Sequence, residues 1–85
     1  MGNPMTNNLP PSIDMMLQDM AQMTKEFTYL DIYNFCKNGV SEEQLKALRN
    51  LYRRWRRYAE YNDEEKMKEV AIQTKQLLVS VGGVV

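Results

Sequence analysis

The chain has no histidine and only one cysteine, Cys36, and these two shortages narrow its chemistry. Without histidine, no side chain has an unperturbed titration between about pH 5 and 8, so the simplest pH switch and the commonest general base and metal ligand are all missing. A lone cysteine makes no internal disulfide and here has no imidazole to activate it. It is expected in the core, where free cysteine usually sits. Glycine is also scarce: Gly2, Gly39, Gly82 and Gly83 are the full set. None opens a helix after a strand as a phosphate loop requires, and the pair at 82 and 83 closes one instead. No stretch approaches the roughly 18 apolar residues of a membrane span, and the N-terminus lacks the basic start and apolar run of a secretion signal. The expected compartment is the cytoplasm, with no membrane partner. "MGNPMT" fits the loose M-G-x-x-x-[ST] acylation pattern through Gly2 and Thr6, although Met5 serves equally well as a native start. Eleven basic and eleven acidic residues cancel, so no strong net field steers a partner toward the chain.

What is present describes a small folded domain. Of 85 residues, 44% are hydrophobic and 26% charged, a balance typical of globular rather than disordered chains. A chain of this size buries only roughly 60% of its unfolded surface, so stability is marginal and a second copy of the chain is one way to gain burial. Residues 1–11, with three prolines, three asparagines and Leu9 as their one large aliphatic, read as a flexible arm.

A helix is expected from Ser12, placed as N-cap, to about residue 26, with Asp14 near the positive end of its dipole. Ile13, Met16, Leu17, Met20, Met23 and Phe27 recur at steps of three and four and form one stripe. Met15, Met16, Met20 and Met23 crowd this helix, and methionine moulds itself to irregular surfaces. The stripe therefore reads either as gap-filling core or as an adaptable binding face. Thr28 and Asp31 resemble a capping box that opens a short apolar helix, "YLDIYNFC", ended by "KNG" with Gly39 at a positive backbone angle. Ser41 and Gln44 make a second box, with Val40 and Leu45 at the staple positions. A third helix over about 42–61 carries Leu45, Leu48, Tyr52, Trp55 and Ala59 on its dry side. Asn62 with Glu65 is expected to cap a fourth, whose buried stripe runs through Met67, Val70, Ala71, Thr74, Leu77 or Leu78, and Val81. The link "EYND" is tight enough to fold helices three and four back as an antiparallel hairpin. The β-branched residues in "LLVSVGGVV" leave the end of the fourth helix open.

The expected fold is all-α, a small four-helix arrangement in which two short helices pack on a long antiparallel helical hairpin. Residues 1–11 form the flexible arm and 12–85 a single helical domain. Carboxylate pairs at Glu42 and Glu43 and from Asp63 to Glu65 sit at helix starts, where capping accounts for them. With no nucleophile beside a base and no Cys or His set for zinc, catalysis, a metal and a cofactor are not expected.

The sequence "RNLYRRWRRYAEYN" raises the functional question. Residues 40–62 hold six basic and three acidic groups, a local charge of +3, against −2 for 1–39 and −1 for 63–85. Arginine is a good helix former whose stem covers apolar surface, and Glu60, Asp63, Glu64 and Glu65 lie near enough in sequence to offer ion-pair partners. A solvated face thus needs no ligand. Phosphate contacts are the alternative, through Lys46, Arg49, Arg53, Arg56 and Arg57.

"NFCKNGVSEEQLKALRNLYRR" resembles the helix-turn-helix unit of DNA-binding regulators, with Gly39 in the turn, Val40 after it, and Leu45 and Leu48 at the inward positions of the second helix. The resemblance covers about a quarter of the chain and spans a unit at 33–57. It departs at Phe35, where that family packs a small residue, and at Asn38, where an apolar one is usual. It implies that Glu42, Glu43, Gln44 and Lys46, with Arg49 behind them, face the major groove. Two leading carboxylates there would repel phosphate.

The leading reading is a non-enzymatic protein–protein interaction module in the cytoplasm, an adaptor, regulator or inhibitor of a larger assembly. Its brevity suggests a bacterial or bacteriophage source. Its working surface is expected to be Met16, Met20 and Met23 with Arg53, Arg56 and Arg57 as polar anchors, since arginine and aromatic residues often dominate binding energy. Nucleic-acid binding ranks second. Self-assembly through Leu77, Leu78, Val79, Val81, Val84 and Val85 is a third, structural route to a homo-oligomer.

Overall fold

The structure, a computed structural model, describes residues 9–37 and 39–83, with side chains as far as Val79. The expectations placed on residues 1–8, including the Gly2 pattern, on Asn38, and on the side chains of Val81, Val84 and Val85 lie outside the described residues. Four helices form an all-α bundle: α1 (Pro11–Thr24), α2 (Tyr29–Lys37), α3 (Glu42–Glu60) and α4 (Glu64–Gly83). No strand occurs among the described residues, and none of their helices is long and apolar enough to cross a membrane.

Local sequence sets each boundary, not always where the pattern suggested. Ser12 does not cap α1. Pro10 precedes the helix and its carbonyl accepts from the Asp14 N–H at 3.0 Å. Pro11 takes the first position, where its missing N–H costs nothing. Leu9, expected within the arm, packs against the core. At the other end α1 stops at Thr24, since Lys25 enters the left-handed region at φ 60° and donates its N–H to the Ala21 carbonyl at 2.9 Å.

In α2 the Thr28 N–H donates to Asp31 Oδ2 at 3.0 Å. The same oxygen receives Lys75 Nζ of α4 at 3.5 Å, so one carboxylate both caps α2 and ties it down. Gly39, at φ 85°, turns the chain toward α3, a backbone angle that costs a residue with a Cβ. The second box forms in full: Ser41 N–H donates to Gln44 Oε1 at 2.8 Å and Gln44 N–H to Ser41 Oγ at 3.2 Å. Val40 and Leu45 are both buried beside it, as a hydrophobic staple requires.

The hairpin turn corrects another expectation. Asn62 takes the left-handed conformation at φ 57°, which asparagine tolerates, and this use leaves capping to its neighbour. Asp63 Oδ1 accepts from the Lys66 N–H at 3.2 Å. From there α4 runs through both terminal glycines to Gly83.

The core draws one stripe from each helix: Ile13, Leu17 and Met20; Ile32 and Phe35; Leu45, Leu48 and Trp55; Met67, Val70, Ala71, Thr74 and Leu78. Thr74 is satisfied internally, its hydroxyl donating to the Val70 carbonyl at 2.9 Å. The α3–α4 hairpin is the broadest contact; α2 lies on α4 and touches α1, and α1 bridges α3 and α4. No Cα of α2 lies within 8 Å of α3.

Candidate interaction surface

Trp55 decides which side of α3 is dry. It is 2% exposed and its ring meets that of Tyr52 at 5.7 Å between centroids, tilted by 31°. Leu45 and Leu48 are buried with it. On a turn of 100° per residue this places Arg49 and Arg56 on the flank of that stripe and Lys46, Arg53 and Arg57 on the back of the helix. Arg53, Arg56, Arg57 and Lys46 are exposed and Arg49 is half-buried. Arg54 turns toward α4 and donates to Gln73 Oε1 at 3.4 Å.

The expected ion pairs on the hairpin do not form. Among the described residues the only ion pair is Lys75 with Asp31, and no α3 arginine has a carboxylate within 4.0 Å. Asp63 is occupied as a cap. Arg56, one helical turn from Glu60, instead directs its guanidinium to Tyr52: Nη1 donates to the phenol oxygen at 3.3 Å and Cζ lies 5.9 Å from the ring centroid. Among the described residues the basic side chains of α3 are therefore left without carboxylate partners.

The methionines divide. Met20 is fully buried, on the same stripe as Ile13 and Leu17, so it is core and not a partner contact, contrary to expectation. Met16 is half-buried against the core edge, while Met15 and Met23 are 70% and 64% exposed. The stripe was wider than the surface α1 buries: its centre went inward and its edge stayed out.

That outer edge meets the arginine half of α3. Tyr52 Oη donates to Asp19 Oδ2 of α1 at 3.2 Å and accepts from Arg56. Of the two expected sets, Met16 and Arg56 thus come near one seam, beside a shallow depression of about 490 Å³ lined by Met15, Met16, Asp19, Gln22 and Tyr52 among others.

A second feature was not foreseen. Two adjoining cavities of about 550 and 340 Å³ lie between α1 and α2 and share Tyr29 and Ile32. Tyr29, Leu30 and Tyr33 are each at least 60% exposed beside them, and Lys37 Nζ lies 5.9 Å from the Tyr33 ring centroid. The signal was in the residue types: "YLDIYNFC" is apolar on more sides than a nine-residue helix can bury. Cys36 lines the larger cavity and is half-buried rather than core. Burial first, and the Asp14 carboxylate second, push its thiol pKa up.

The helix-turn-helix geometry is also corrected. That unit needs its two helices packed on each other, whereas α2 rests on α4. Phe35 is one cause, since its bulk is sunk in the common core. The self-assembly surface shrinks as well, because Leu78 is buried and Leu77 half-buried within this chain, leaving Val79 exposed. Among the described residues no group of three or more acidic, Cys or His side chains is placed to hold a metal ion. Comparison with protein families, with curated proteins and with solved structures finds no match.

Proposed function

We propose that this protein is a small, non-enzymatic interaction module of the cytoplasm that binds another protein as an adaptor, regulator or inhibitor of a larger assembly. One observation supports the reading: Met15 and Met16 of α1 adjoin Tyr52, which the Asp19–Tyr52–Arg56 seam links to arginines of α3 that have no carboxylate partner among the described residues. Flexible thioethers fit irregular apolar surfaces, and arginines held beside them supply charge-assisted bonds that fix orientation. The lone half-buried thiol suits a reducing compartment, where disulfides are rare.

Nucleic-acid binding stays as a second reading because Lys46, Arg49, Arg53, Arg56 and Arg57 have no carboxylate partner among the described residues, but it now rests on those α3 side chains alone. Co-purification from native cells separates the two. A protein should be recovered with the wild-type chain and lost with a Met15→Asp/Met23→Asp variant that melts like the wild type. Recovery of no protein, or equal recovery by the variant, would sink the proposal.

A further inference from the structure

We infer that the partner of the α1–α3 ledge presents an acidic amphipathic helix, an inference that rests on the interaction reading above and names its chemistry. Three observations converge. The basic stretch of α3 from Lys46 to Arg57 is exposed along most of its length and has no carboxylate partner within the described residues. It spans about 16 Å at the helical rise, or three turns. Apolar surface adjoins it at Met15 and Met16, which line one depression with Tyr52, and Met23 is exposed farther along α1. A row of apolar side chains beside a row of carboxylates is what one face of an amphipathic helix offers at three-and-four spacing. Apolar positions would lie on Met15, Met16 and Met23, and carboxylates on Arg49, Arg53 and Arg56.

The alternatives fit less well. A peptide that binds by strand addition needs a free sheet edge, and the described residues contain no strand to supply one. A phosphodiester chain running along α3 would meet Glu42 and Glu43 at one end and Glu60 at the other. It would also find no free ring within the basic stretch to stack a base, since Trp55 is buried and Tyr52 is held by Asp19 and Arg56. Exposed methionine gives such a chain nothing to bind.

The test is selection from a display library of helix-forming peptides whose outward positions vary among Glu, Lys, Leu and Ala, with a short duplex DNA titrated in parallel. Enriched peptides should carry Glu at three-and-four spacing next to a Leu row. Their affinity should fall roughly tenfold or more for an Arg49→Glu/Arg53→Glu variant, the loss of about 1.4 kcal/mol. It should also weaken between about 50 and 300 mM salt. Neutral or basic winners, no enrichment, tighter binding to the duplex, or peptide binding unaffected by the double charge reversal would each overturn the inference, as would self-association of the chain through this ledge. If co-purification still yields a protein that the methionine variant loses, only the acidic chemistry is wrong and the module reading stands. If it yields none, the module reading itself has failed.

Discussion

Trp55 anchors the core and, among the described residues, is its one polar compromise. Its indole Nε1–H is buried with no hydrogen-bond partner among the described residues, and an unsatisfied buried donor costs on the order of 1–3 kcal/mol. Phenylalanine removes that donor but leaves a void, so the two effects partly cancel. Trp55→Phe should therefore cost less than about 2 kcal/mol, whereas Trp55→Ala should cost about 3–5 kcal/mol and leave so small a domain largely unfolded. Denaturant melts of both variants check this, and equal losses would mean the donor carries no penalty. Cys36 makes a second case. Burial and the Asp14 charge both disfavour its thiolate, and the thiolate is the reactive form. Folded protein should consequently react with a disulfide reagent near pH 8 more slowly than the denatured chain. Asp14→Asn should accelerate the folded reaction, though only in part, because burial is the larger cause. A rate unchanged by unfolding would remove the argument.

At the scale of the element, the helix ends carry much of the information. The Ser41–Gln44 box satisfies two N–H groups at the start of α3, and Val40 and Leu45 close over it. Ser41→Ala should cost about 1 kcal/mol, and Asp63→Ala about the same for α4, measured by thermal unfolding. A loss confined to α3 and α4 mobility without a change in melting temperature would contradict the first. These ends also show what was legible beforehand. The box at Ser41, the turn at Gly39 and the dry stripe of α3 could be read directly, because each is written in neighbouring residues. The exact caps of α1 and α4 could not. Pro11 can start a helix as well as exclude one, and Asn62 suits a cap and a left-handed turn equally, so the choice falls to tertiary packing. The candidate site was legible in half. Periodicity placed Met16, Met20 and Met23 on one stripe but could not say where burial stops, and that boundary is set by how closely α1 approaches α3 and α4. Nor could spacing show that Arg56 prefers Tyr52 to Glu60, or that Tyr29, Leu30 and Tyr33 stay outside.

For the whole molecule, the unequal sharing of contacts has a dynamic consequence. The α3–α4 hairpin is the broadest interface, α1 leans on both its helices, and α2 rests on α4 with a lesser contact to α1 and none to α3. Nine residues are too few for a helix to persist in water by itself, so α2 depends on burial of Ile32 and Phe35 and on the Asp31–Lys75 bond. That bond is partly exposed and contributes at most about 1 kcal/mol. Segments with few buried contacts open below the global unfolding free energy. Native-state hydrogen exchange should therefore show the α2 amides opening first, with α3 and α4 protected up to global unfolding and α1 between them. Ile32→Ala should widen the gap by speeding exchange in α2 more than in α3. Should α2 instead exchange in step with the hairpin, the four helices form one cooperative unit and the cavities beside Tyr29 are rigid. If it opens as expected, the molecule has a stable side bearing the arginines and a yielding side bearing the exposed tyrosines. A partner on the α1–α3 ledge would then bind the rigid half, and ordering of α2 would not be part of the binding cost.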